Sequence, residues 1–177
     1  MRRILALAAS AALIVMPGMA RAAEAPCLTP MEFTALATYA LPSVVTGTAQ
    51  RCTPALPRQS FLATQGPALA QRYAASKPAA WPGAKAAFLK LAGGSTGEAA
   101  SVLRSLPDPQ LQQLADAAIA AKLGDTVPVD RCGSIDRLLK LLSPLPSETT
   151  AEVVMLAVGL GAAAGQARIG RISVCPA

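Results

Sequence analysis

Residues 29–41 read TPMEFTALATYAL, and the fold class follows from this stretch. Thr29 offers an N-cap oxygen. Pro30 takes the first helical position, where its missing N–H costs nothing, and Glu32 completes a capping box three residues after the cap. Phe33, Leu36, Ala37 and Leu41 then recur at helical spacing. Punctuation of the same kind recurs along the chain, which predicts an all-α protein: a single compact domain of about seven short helices over residues 23–177.

Working outward, Pro42 is expected to kink or restart the helix, with a second short helix through Val44 and Val45 to Cys52. Thr53 to Arg58 holds two prolines and reads as a connection. Phe61–Thr64 and Pro67–Ala75 read as short helices parted by Gly66. From Trp81 to Leu91, the residues Trp81, Ala84, Phe88 and Leu91 share a face flanked by Lys85, with Lys90 directed away. Gly93 to Gly97 is a flexible loop entering a capping box, Ser95-x-x-Glu98. Asp108-Pro109 opens a helix carrying Leu111, Leu114, Ala118 and Ile119, with Gly124 as its stop. Ser147 and Thr149-x-x-Glu152 cap another, and Arg168 to Val174 reads as extended until Cys175 pins it. Two glycine patterns are decoys. The 93–97 loop lacks the Walker spacing and its lysine, and only twelve residues follow Gly165, too few for the second strand and acidic residue of a dinucleotide site.

The chain begins with a targeting pattern. Met1-Arg2-Arg3 is a positive n-region, Ile4 to Met16 an apolar h-region, and Ala20-Arg21-Ala22 a small-x-small cleavage site, so residues 1–22 read as a signal peptide. The apolar run is shorter than the roughly 20 residues a membrane span needs, and so is Val153 to Ala167; a transmembrane protein is not expected. Export to the periplasm or beyond makes Cys27, Cys52, Cys132 and Cys175 an even set in an oxidising compartment, and the expectation is two disulfides. Three pairings are formally possible. Cys27–Cys52 with Cys132–Cys175 is favoured, because each bridge would close a local helix-turn-helix segment.

Composition narrows the chemistry. The 177 residues include no histidine, which excludes Ser-His-Asp and Cys-His machinery, His-ligated zinc and His-ligated haem. No Ser-x-x-Lys spacing nominates a nucleophile. Asp125, Asp130 and Asp136 surround Cys132, but their spacing fits no calcium loop, and cap or loop roles explain them better. The expectation is therefore a non-enzyme with no catalytic residue, no metal and no cofactor.

Charge is unevenly spread. Without Arg2, Arg3 and Arg21 the mature chain has 13 basic residues against 10 acidic ones, a net charge of +3. No acidic residue lies between Glu32 and Glu98, while Arg51, Arg58, Arg72, Lys77, Lys85 and Lys90 do. Such a block suggests an anionic partner. Arg72, Lys77, Trp81, Lys85 and Lys90 are its candidate contacts; a core-facing helix with flanking lysines explains the same pattern.

One resemblance spans nearly all the mature chain. Cys27-Leu28-Thr29, Tyr39-Ala40-Leu41-Pro42, Arg51-Cys52, Arg72-Tyr73-Ala74, Ala80-Trp81-Pro82, Ile135-Asp136-Arg137-Leu138-Leu139, Pro144-Leu145-Pro146 and Cys175-Pro176, in that order behind a signal, resemble small exported proteins of sphingomonad-type alphaproteobacteria. That resemblance implies a periplasmic helical domain and transfers no site. The leading expectation is a non-enzymatic periplasmic or secreted binding protein with an envelope protein as partner. A membrane-surface or polyanion-binding protein using the basic 51–90 block is the alternative, and an unrecognised hydrolase a second one; no nucleic-acid partner is expected.

Overall fold

The capping box at Thr29 is formed on both sides: Glu32 N–H donates to Thr29 Oγ1 at 3.2 Å and Thr29 N–H to Glu32 Oε2 at 2.8 Å. From this start α1 runs Pro30–Cys52 without a break. The computed structural model describes residues 27–93, 98–163 and 173–175. The signal-peptide reading, the Ser95 cap and most of the extended reading of residues 168–174 lie outside them.

Pro42 neither ends nor restarts the helix, contrary to the expectation. An interior proline costs about 3 kcal/mol. Burial of Val45 alone offsets about 1.5–3 kcal/mol of that, and Cys52, also fully buried, adds to it. Both occupy the face that carries Leu41 and Thr48, so a break at Pro42 would turn that row away from the core. The remaining order is α2 (Phe61–Thr64), α3 (Gly66–Ala74), α4 (Lys77–Gly93), α5 (Glu98–Ser105), α6 (Asp108–Thr126), a 3-10 turn (Val129–Arg131), α7 (Cys132–Leu142) and α8 (Ser147–Ala163). Gly124 does not stop α6, which runs on to Thr126. The chain is thus a single all-α fold with eight α-helices among the described residues, one of them far longer than expected. Its two short strands, β1 (Cys27–Leu28) and β2 (Ser173–Val174), pair in parallel, Cys27 with Ser173 and Leu28 with Val174.

α1 is the axle. Its C-terminal half joins Leu41, Val45 and Cys52 to Phe61 and Leu62 of α2, Leu69 and Tyr73 of α3, Leu139 of α7 and Ala151 of α8. Tyr39 meets Trp81 and Ala84 of α4 and Leu111 and Ala115 of α6. Near the N-terminus, Leu28 and Phe33 pack with Ala87, against Val154, Met155, Val158 and Val174.

The cysteines pair as Cys27–Cys175 and Cys52–Cys132, which corrects the favoured connectivity. The unbroken α1 is the reason. At 1.5 Å rise per residue a 23-residue helix is about 34 Å long, and it holds Cys27 and Cys52 at its opposite ends. Each cysteine instead meets the segment that packs beside it: Cys175 follows β2, and Cys132 opens α7.

α1 and α4 approach closely at Gly83. A Cβ built on Gly83 would stand 2.6 Å from Ala35 Cβ, and neither is the tip of a flexible side chain. Gly83→Ala should therefore destabilise by about 1–3 kcal/mol despite the better helix propensity of alanine. Urea denaturation checks this, and Ala35→Gly in the same chain should recover most of the loss. Full stability of Gly83→Ala alone would contradict the close approach.

Candidate functional site

Three of the six cations of the basic block are paired with acids from outside it. Lys77 of α4 reaches Asp116 of α6 at 2.8 and 2.9 Å, with its ammonium 4.3 Å from the centroid of the Tyr39 ring. Lys85 pairs with Asp108 at 2.6 Å. Lys90, expected to point away, bonds the capping-box carboxylate of Glu32 at 2.9 Å. Arg72 of α3 donates to the Ser143 carbonyl and lies over the Tyr73 ring. Trp81 is buried against Tyr39, ring centroids 5.2 Å apart. The five predicted contacts do not form an open cationic face: three charges are neutralised, one is bonded to a carbonyl and the aromatic faces inward.

These pairings set the titration of the groups around them. The backbone N–H of Thr29 first, then Lys90, holds Glu32 below its ordinary range. Lys85 does the same for Asp108, with a smaller contribution from the Trp81 indole N–H. Burial, and then the negative charge of Asp116, raises Tyr39 well above its ordinary value of 10.0. The unfolded chain therefore releases this proton first as pH rises. Stability is unaffected below about pH 10 and falls above it. Denaturation midpoints at about pH 9 and about pH 11 should show this loss, and Tyr39→Phe should reduce it; an equal loss in the variant would assign the alkaline sensitivity to other groups.

The acidic residues do not converge. Asp136 of α7 caps α2, accepting the backbone N–H groups of Leu62 at 2.7 Å and Phe61 at 3.4 Å. Asp130 sits 3.5 Å from its neighbour Arg131, and Asp125 lies within α6. No group of three or more metal-binding side chains occurs among the described residues. At the start of α8, Ser147 Oγ lies 2.7 Å from Ser76 Oγ and 3.1 Å from the Glu148 carboxylate, whose own backbone N–H holds it below its ordinary range. A carboxylate held in its charged form at a helix start is a cap rather than an acid poised for proton transfer.

A concavity lies elsewhere. A half-open groove of about 570 Å³ runs between the C-terminal half of α1, the turn after Cys52, α2 and α3. The buried Leu62, Gly66 and Ala70 with the half-buried Ala49 make its floor, Leu56 and Pro57 its apolar wall, the exposed Thr46, Gln50, Thr53 and Gln71 its neutral edge, and Arg58 is the one charged residue on the lining among the described residues. The chain matches no family model, no curated protein and no solved structure in the comparisons made.

The groove's wall is fastened to α7 at two points. Cys52–Cys132 anchors the start of the turn, where the N–H groups of Ala55 and Leu56 bond the Cys52 carbonyl at 3.0 and 3.1 Å, and Asp136 anchors α2. Ser60 adds a local cap, accepting from Ala63 N–H at 3.3 Å. Sequence reading placed the turn and both short helices but did not nominate the groove. Its floor is assembled from residues up to about 20 positions apart on α1, α2 and α3, and the only linear signal was the pair of small residues Gly66 and Ala70 beside a lone arginine.

Proposed function

We propose that this protein is an exported, non-enzymatic binding protein of the cell envelope, and that the groove between α1, the turn and α3 holds its ligand. The observation that carries the reading is the groove itself: of ligand-pocket size, apolar on floor and wall, edged by neutral polar groups and held by a disulfide and a charged cap. Periplasmic or secreted location is supported by the leader pattern, by the two disulfides and by the resemblance to small exported helical proteins. No helix among the described residues is long and apolar enough to cross a membrane.

The test uses the exported, oxidised protein and N-phenylnaphthylamine, a neutral apolar fluorophore. Saturable fluorescence enhancement is expected, and Ala63→Trp, a change at an exposed lining residue, should abolish it while the helical circular dichroism persists. Absence of saturable binding to the folded wild-type chain would overturn the reading.

A further inference from the structure

We infer that the groove takes a single-chain amphiphile with an anionic head, a free alkyl carboxylate, and that Arg58 receives the head group. This rests on the groove being the binding site. Arg58 carries the only charge on the lining, and among the described residues it has no ion pair or hydrogen bond, unlike Lys77, Lys85 and Lys90, whose acids come from α1 and α6. A cation that the fold leaves uncompensated on an otherwise uncharged, largely apolar lining complements an anion attached to a hydrocarbon chain.

The rest of the lining selects against other chemistries. Among the described residues no acidic side chain lines the groove, so an ammonium or a quaternary amine finds no counter-charge there, and no aromatic side chain lines it, so neither a sugar nor a base finds a ring to stack on. Where α3 meets α1 the lining is apolar: a Cβ on Gly66 would make ordinary van der Waals contact with Leu62 Cδ2 at 3.7 Å and Ala49 Cβ at 3.9 Å. Such a lining suits methylenes, each of which contributes the same increment wherever it lies.

Competition against bound N-phenylnaphthylamine tests this with defined probes below their micellar concentrations. Dodecanoate should displace the fluorophore with roughly 10²-fold higher affinity than octanoate, about fourfold per methylene. Arg58→Gln should weaken dodecanoate about fivefold more than it weakens the fluorophore. Unchanged dodecanoate affinity in Arg58→Gln, equal competition by dodecyltrimethylammonium, or stronger competition by an acidic peptide would each overturn the inference and leave the groove as a site of other specificity. Failure of the fluorophore itself to bind removes the underlying reading instead.

Discussion

Replacing Cys52 and Cys132 together by alanine should lower stability by about 3–5 kcal/mol, equivalent to a fall of roughly 10 °C in Tm for a domain of this size. The bridge joins residues 80 positions apart, so its loss frees a long loop in the unfolded chain. It also unties the start of the groove's wall from α7, so N-phenylnaphthylamine affinity should drop in the same variant even under conditions where the helices remain folded. Thermal melts and fluorophore titration read the two effects separately. Exposure orders the two bridges: Cys52 and Cys132 are fully buried, whereas Cys27 and Cys175 are partly exposed. Limited reduction followed by alkylation and peptide mass mapping should therefore label Cys27 and Cys175 first. Recovery of a Cys27–Cys52 peptide from the oxidised protein would contradict the connectivity and, with it, the unbroken α1.

Trp81→Ala should cost about 3–5 kcal/mol, the loss for removing a large aromatic side chain from a packed core. Trp81 is 6% exposed and sits among Tyr39, Ala84, Leu111 and Ala115, so its removal loosens α1, α4 and α6 from one another. Lys85→Glu, four residues on, breaks a solvent-exposed pair and places a like charge beside Asp108; its effect on stability should be far smaller. The comparison also separates two roles for this face. If residues 72–90 were a membrane-binding surface, Lys85→Glu would weaken salt-sensitive sedimentation with anionic liposomes in a chain that stays folded. The pairing of Lys77, Lys85 and Lys90 with acids leads us to expect no such sedimentation from the wild-type protein at physiological salt.

Much of the local structure is legible in the sequence because its causes are local. Thr29 and Glu32 announce the start of α1 with a formed capping box, since a cap satisfies backbone groups within three or four residues. Asp108-Pro109 and Ser147 mark the starts of α6 and α8, but as first helical residues: the Asp108 side chain bonds Lys85, and that of Ser147 bonds Ser76 and Glu148. The two prolines after Cys52 mark the turn, and Gly66 marks the division between α2 and α3. Of the three aspartates given cap or loop roles, Asp136 is a cap, but its helix, α2, lies about 75 residues earlier, and no local rule names that partner. Pro42 is the opposite case: the local rule was sound and burial outweighed it, because Val45, Thr48 and Cys52 share a face with Leu41 that only a continuous helix can present to α3 and α8.

By itself the sequence determined an all-helical chain, the oxidisable even set of cysteines, the leader pattern and, through the absent histidine, a long list of chemistries this protein does not use. Tertiary structure decided which cysteine meets which, which acid neutralises which lysine, and where a groove with an uncompensated arginine opens. Helix starts depend on neighbours three or four residues away, whereas disulfides, ion pairs and concavities depend on which helices pack side by side. That choice is made by the buried faces of α1 acting together, and no short stretch of the chain contains it.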